Sequence, residues 1–332
     1  MRPPTTTALL EQAIATRSEW LHAPHQHAFR LFNGFSEGDP SLVIDVYGTT
    51  FLVHDYADHP EENRALIEET VEVLHKTLTW LRAGILKIRN GKTQEEKRGR
   101  LIFGTTPDQK IKEHGVWYAV DLMMNRDASL YLDTRNLRKW LIDHTAGQSV
   151  LNTFAYTGSF GVAAMAGGAS RVVQLDRTRQ FLNLGKDSYG LNNFPIRKAD
   201  FIAADFFSQI SKFKRNNVLF DCVVIDPPYF SLSARGKVDQ EHESGRLINK
   251  IRPLVRDGGV LVAINNALFV SGRQYMQVLK SLCQDGYLKI RELIPVPEDF
   301  TGNPRLQKGK PVTDPSPFNH STKIAVLHVT RK

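Results

Sequence analysis

The chain is expected to fold as an α/β protein, a mostly parallel sheet with helices on both faces preceded by a small α+β domain. Two observations predict this. From about residue 134, strand-length apolar runs alternate with amphipathic helical runs, the order that successive βαβ units require. Before that point, short β-prone runs broken by Gly, Asp and Pro surround one long helical pattern. Three segments follow: an N-terminal helix (1–25), a small α+β domain (26–121) and a larger α/β domain (122–332).

In the first segment Leu9, Leu10, Ile14 and Trp20 recur at helical spacing. The runs "HAFRLFNG", "SLVIDVYG" and "FLVHDYA", separated by "GDP" and "YGTT", predict successive hairpins. Residues 60–82 carry Leu66, Ile67, Val71, Leu74, Leu78 and Leu81, with acids early and bases late, and predict a long amphipathic helix. "AGILKIRN", "RLIFG" and "VWYAVDL" then read as strands. In the larger domain "SVLNTF", "RVVQLD", "KADFIAADFF", "FDCVVIDPP" and "GGVLVAINN" are strands. Between them run "TRNLRKWLIDHTA", "GSFGVAAMAGGA", "TRQFLNLGKDSYGLNN" and "ESGRLINKIRPLV" as helices. "PSPFNHSTKIAVLHV" is expected to close the sheet as an antiparallel hairpin, with His320 and Lys323 either near the site or solvated.

With 41% hydrophobic and 23% charged residues, the 332-residue chain suits a folded α/β domain and a smaller partner. No apolar stretch is long enough for a membrane span, and the start has no apolar secretory core, so a cytoplasmic location is expected. Cys222 and Cys283 are the only cysteines, and neither has metal-ligand spacing, so no metal is expected. The net charge is +8, and nine Lys/Arg fall between Arg82 and Lys112 against Glu95, Glu96 and Asp108. From Gly302 onward Arg305, Lys308, Lys310, Lys323, Arg331 and Lys332 face Asp314 alone. Two basic runs flanking an enzyme-like core suit a polyanion, with Lys87, Arg89, Lys92, Lys97, Arg98 and Arg100 as candidate RNA contacts.

The chemistry gathers at consecutive strand ends, where open α/β sheets bind ligands. The first ends in "FAYTGSFG", where Gly158 and Gly161 would let the backbone approach a ligand. The second ends at Asp176, placed to accept from ribose hydroxyls or to cap the next helix. The third leads to Asp205, suited to an exocyclic amino group or to a solvated loop. The fourth ends in "DPPYF": Asp226, Pro227, Pro228, Tyr229 and Phe230. The turn lacks G-x-G-x-x-G, and a nicotinamide site needs no Asp-Pro-Pro-aromatic. Methyl transfer to a base needs a platform of this kind: an Asp and a proline-fixed carbonyl for polar contacts, and rings for stacking.

The motifs "LYLDTR" (130–135), "NTFAYTGSFG" (152–161), "VVQLD" (172–176) and "IDPPYF" (225–230) together resemble a bacterial family of S-adenosylmethionine-dependent 23S rRNA methyltransferases. The resemblance spans roughly residues 27–290, including the small domain, which looks like the family's strand-strand-helix-strand-strand module. It implies a Rossmann-like class I methyltransferase domain, with S-adenosyl-L-methionine as cofactor and 23S rRNA or a large-subunit precursor as partner. By that likeness Asp133 and Arg135 shape the cofactor pocket, and Phe154, Ala155, Tyr156, Thr157 and Gly158 line its methionine part. Asp176, followed by Arg177, binds ribose, and Asp205 with Phe206 meets adenine. Ala128-Ser129 replaces the usual Thr-Gly, a departure that bears on cofactor contacts there.

Two further departures concern the acceptor. Cytosine-C5 methylation needs a Cys nucleophile, yet Cys222 lies inside a strand and Cys283 in a late helix. Where that Cys is expected stands "AINNA", and Asn265 and Asn266 resemble the guanine-N7 branch. The cytosine branch also carries an extra N-terminal RNA-binding domain, for which this chain is expected to be too short. The expected activity is methylation of an RNA base at guanine N7 or an exocyclic amine, by a monomer or homodimer that does not enter a membrane. Cytosine C5, or a small-molecule or protein acceptor, is the alternative.

Overall fold

The computed structural model describes residues 4–302 and 307–331; Arg305 and Lys332 of the second basic run lie outside them. The chain forms two compact units, residues 1–132 with 297–311, and residues 133–296 with 312–332. The division falls at Leu132/Asp133, eleven residues past the expected boundary, and the first unit takes up a short segment from late in the chain.

The first unit is a five-stranded sheet in chain order: β1 (Ala28–Asn33), β2 (Leu42–Tyr47), β3 (Thr50–Asp55), β4 (Ala83–Ile88) and β5 (Arg100–Gly104). Three strands precede the helix rather than two. β1, β2 and β3 pair antiparallel; the helix Arg64–Thr77 is the crossover that lets β4 lie parallel to β3. That helix is shorter than the predicted 60–82. With the helix Thr6–Thr16 it buries Leu9, Leu10, Ile14, Ile67 and Leu74 with Leu31, Ile44, Val46, Phe51 and Val53 of the sheet. A separate hairpin joins β6 (Lys110–Glu113) to β7 (Val116–Ala119).

The second unit is a seven-stranded sheet. Its strands are β8 (Ser149–Thr153), β9 (Arg171–Asp176), β10 (Phe201–Ala203), β11 (Phe220–Ile225), β14 (Val255–Asn265), β15 (Leu288–Ile294) and β16 (Lys323–Val329). Between β11 and β14 the chain inserts a two-stranded ribbon, β12 (Phe230–Ser233) and β13 (Gly236–Asp239). The spatial order is β10-β9-β8-β11-β14-β16-β15; the first five are parallel, and β16 runs antiparallel between β14 and β15. Apolar side chains alternate to both faces, so each face packs its own cluster: Leu151, Val223, Ile225, Leu261 and Ala263 on one, Val150, Cys222, Val224 and Val262 on the other. The final strand is therefore interior. Lys323 is not solvated: it is buried, and its Nζ donates to the carbonyls of Ala267 and Ser321.

Two of the six basic residues expected to meet RNA are corrected by their packing. Lys87 is fully buried and donates to the carbonyls of Arg98 and Asn125, and burial pushes its amine down to about 8. Arg89 pairs with Asp127 at 2.8 Å and also donates to the Arg126 carbonyl. Both point into the unit's own fold because they sit on or just beyond a central strand. Lys92, Arg98 and Arg100 are exposed, and Lys97 is half-buried.

A buried ion pair fastens the first helix and the late segment to the small unit. Arg17 makes a bidentate contact with Glu37 at 2.8 and 3.0 Å and also donates to the Asp299 carbonyl, while Glu37 accepts the Asn33 N–H. Arg17→Met leaves the Glu37 carboxylate buried without its counter-ion. The small unit is expected to lose about 3–5 kcal/mol, read from the shift of its urea midpoint; a shift worth under about 1 kcal/mol contradicts this role.

Candidate active site

The carboxyl ends of β8, β9, β10, β11 and β14 share one edge of the sheet, and the strand order reverses beside β8, where neighbouring loops diverge. The loop after β8 is held in an uncommon backbone state: Phe154, Tyr156 and Gly158 have φ of 54°, 51° and 76°. Two of these are aromatic residues in the left-handed region, a strain that surrounding bonds must hold. Ala155 N donates to the Leu175 carbonyl, and Tyr156 N donates to Asp176 at 2.8 Å. Thr157 is buried.

The glycines of this loop have a different use from the expected one. A Cβ on Gly158 or Gly161 would lie 2.9 or 1.9 Å from Nε2 of Gln174. Their open space is filled by this buried side chain, which donates to the Gly158 carbonyl and accepts from Asn152 Nδ2. Sequence reasoning missed Gln174, although a glutamine inside the apolar run "RVVQLD" was a visible signal.

Asp176 stands at the end of β9 and its two oxygens accept from the N–H groups of Tyr156 and Thr178. A carboxylate offers about four acceptor directions, and the Arg177 N–H engages it as well, so about one stays open for a hydroxyl donor. Burial pushes its pKa up. Arg177 beside it is exposed. Asp133 accepts from Thr322 Oγ1 at 2.7 Å, a partner contributed by the chain's last strand region, and Arg135 is buried. Asp205 is the N-cap of the helix Phe206–Arg215 and accepts from Ser208 N and Oγ, so its expected role on adenine competes with a capping role. Phe206 is buried and stacks on Phe154 with ring centroids 4.6 Å apart.

In "DPPYF" the side chains divide sharply. Pro227 is buried, whereas Pro228, Tyr229 and Phe230 are exposed. The Asp226 carboxyl points inward with Oδ1 buried and lacking a hydrogen-bond partner among the described residues. Burial first, and then the charge of Asp133, pushes its pKa up to about 7. The Pro227 carbonyl is not left free for a base: it accepts from Nε2 of Gln240. The same fully buried glutamine amide brackets Asn266, donating to its Oδ1 and accepting from its N. The Gln240 backbone donates to the Tyr229 carbonyl and accepts from Asn265 Nδ2. Asn265 also accepts from Ala267 N, so its side chain fastens loops and is not available to a base as expected; Asn266 is exposed. Nothing in the spacing of "VDQEHES" marks Gln240, because its partners come from two distant loops.

Neither cysteine joins this edge. Cys222 is fully buried within β11, where burial pushes its thiol up to about 12, and Cys283 caps the helix Gly272–Leu282. Among the described residues there is no cluster of metal-binding side chains, and no helix is long and apolar enough to cross a membrane.

The family model of S-adenosylmethionine-dependent methyltransferases matches residues 30–293. The chain belongs to this family. The "Ribosomal RNA large subunit methyltransferase I" of Aliivibrio fischeri is 30% identical over 226 residues, covering 68% of this chain and 57% of that protein. The protein of the same name from Escherichia coli O139:H28 is 26% identical over 279 residues, 83% of this chain and 70% of that one. This methyltransferase thus spans less than three fifths of its Aliivibrio relative. The SMU.776 methyltransferase, solved with SAH, shares the fold at a TM-score of 0.85 and 22% identity, over 99% of this chain and 83% of that chain. A methyltransferase from Agrobacterium tumefaciens does so at 0.62 and 16%, over 94% and 92%. The class I α/β fold and the use of S-adenosylmethionine, both expected from the motifs, stand.

The Asp226 environment predicts a pH dependence of stability. Its folded pKa lies above the ordinary 3.8, so the native state holds the proton more tightly. That advantage is complete below about pH 4 and is lost as pH rises through about 7. Asp226→Asn is expected to leave stability at pH 4 nearly unchanged and to raise it at pH 8 by roughly 1–4 kcal/mol, measured by thermal melts across this range. A parallel pH slope in the variant rejects the assignment.

Proposed function

We propose that this methyltransferase modifies a base of RNA, namely 23S rRNA or its large-subunit precursor, at guanine N7 or an exocyclic amine. The observation that carries the reading is the Asp226 site: one inward carboxyl with an unpartnered oxygen, followed after two prolines by two exposed aromatic rings. A flat heterocycle with polar edges suits one acceptor beside π-faces better than a flexible aliphatic substrate does. The rRNA-directed names of the relatives and the +8 charge support RNA as its carrier.

S-adenosylmethionine, when bound, supplies a methyl group already activated on a cationic sulfur. The residues present fit it: Asp176 keeps an acceptor direction open for a ribose hydroxyl, and the backbone of Phe154–Gly158 is pinned in the shape of a receiving loop. Asp133 and Arg135 help shape the cofactor pocket, Phe154–Gly158 line its methionine part, and Phe206, stacked on Phe154, lies with Asp205 toward adenine. Asp226 does the work on the acceptor. Ionised, it accepts from an amine N–H and orients the nitrogen lone pair; for guanine N7 its charge balances the positive charge that grows on the base. Tyr229, with its hydroxyl on Glu241, and Phe230 flank the base. Pro227 and Pro228 fix the loop's backbone, and Gln240 ties it to the Asn265–Asn266 turn. In the small unit Lys92, Lys97, Arg98 and Arg100 are the remaining phosphate contacts. The absence of a site thiol among the described residues favours nitrogen over cytosine C5.

Mass spectrometry of rRNA nucleosides from cells lacking the gene tests the reading. Loss of 7-methylguanosine or of an N-methylated amine, restored by the wild-type gene and not by Asp226→Ala, is the expected result. Loss of 5-methylcytidine defeats the nitrogen assignment, and an unchanged rRNA profile defeats the RNA assignment. In vitro, Asp226→Ala is expected to lower methyl transfer by about 100-fold or more with S-adenosylmethionine affinity, read by calorimetry, little altered. Wild-type kcat/KM is expected to rise with pH through about 7 as Asp226 ionises.

A further inference from the structure

The β12–β13 ribbon places its side chains the wrong way round for a solvated hairpin. Phe230 and Leu232 are 51% and 64% exposed, whereas Ser231 and Ser233, the alternate residues of the same strand, face inward and are half-buried. Moving the strand by one residue would bury the apolar pair and expose the serines. Three contacts prevent that. Val238, opposite Ser231, is buried in the core. Gly236, opposite Ser233, lies so close to Phe207 that a Cβ would come within 2.7 Å of the ring. Gln240 donates its backbone N–H to the Tyr229 carbonyl at the ribbon's base. The ribbon is fixed, and its outer face is apolar by construction.

That face begins directly after Asp226-Pro-Pro-Tyr, so whatever meets the acceptor site also meets the ribbon. Its charges suit a polyanion: Arg235 is exposed at the tip, and Lys237, opposite Leu232, has its Nζ 5.7 Å from the centre of the Phe230 ring. The nearest acids are engaged, Asp239 with Lys237 and His242, and Glu241 with the Tyr229 hydroxyl. We infer that this ribbon is a wedge for the substrate RNA: Leu232 enters the base stack beside the target nucleotide, Arg235 meets a flanking phosphate, and the displaced base is left to occupy the Asp226 site against Phe230. Apolar side chains between base steps unstack them, and a base must leave its stack before chemistry can reach it. The inference rests on the base-methylation reading above.

The test compares two RNAs that differ only in whether the target must be unstacked. One is folded large-subunit rRNA from cells lacking the gene; the other is an unstructured oligonucleotide of about twelve nucleotides spanning the nucleotide mapped by mass spectrometry. In the full-length protein, Leu232→Ser is expected to lower kcat/KM on folded rRNA by about tenfold and to change it less than about twofold on the oligonucleotide; Leu232→Met is expected to retain both activities. Because Leu232 is on the surface, thermal melts of the variants should match the wild type. Equal loss on both RNAs, or no loss on folded rRNA, overturns the wedge while leaving base methylation intact. A wild-type dimer that Leu232→Ser dissociates in sedimentation assigns the face to a second copy and also overturns it. A wild-type protein inert on both RNAs overturns the base-methylation reading and the wedge with it.

Discussion

The candidate site depends on one buried amide. Gln240 joins the loop after β11 to the loop after β14, and those loops carry the residues expected to meet the acceptor. A buried polar side chain is costly unless its hydrogen bonds are made, so the two loops are held in the arrangement that satisfies it. Neither loop has regular structure of its own at this point, and proline removes backbone donors from one of them. The glutamine supplies the missing cross-links. Asp226 can then stay unsatisfied and close to neutrality, because the loop that carries it is fastened elsewhere.

The same division of labour appears on the cofactor side. Gln174 fills the space that two glycines leave open, and Asp176 receives the N–H of Tyr156. Together they hold a loop whose φ values few aromatic residues adopt. Rigidity comes from buried amides and backbone bonds, which leaves the remaining acceptor directions of Asp176 and Asp226 free for ligands. Gln174 and Gln240 serve the framework alone, whereas Asp176 both holds the loop and keeps acceptor capacity to spare.

This explains what could be read in the sequence. Strand ends are local features: an apolar run stopped by Asp or by Asp-Pro-Pro announces itself, so the parallel sheet and the positions of Asp176 and Asp226 were legible. Whether a polar side chain faces a ligand or its own protein is decided by partners far away in the chain. Lys87 looked like part of a basic surface and is buried on two carbonyls; Asn265 looked like a base contact and fastens the Gln240 segment. Gly158 and Gly161 looked like a ligand cradle and accommodate Gln174. In each case the residue type was informative and the destination of its hydrogen bonds was not.

The routing of the chain adds an order to its assembly. Residues 297–311 belong to the first unit, and Asp299 and Phe300 there accept from Arg17, Arg30 and Asn33 near the start of the chain. On a ribosome these partners emerge only after nearly all of the second unit, and β16 emerges later still to take an interior place in the other sheet. Neither half can mature as an early, self-sufficient folding step. Each waits on the last part of the polypeptide: a nascent chain stalled before residue 297 would lack both the partners of Arg17, Arg30 and Asn33 and the interior strand β16 of the second sheet.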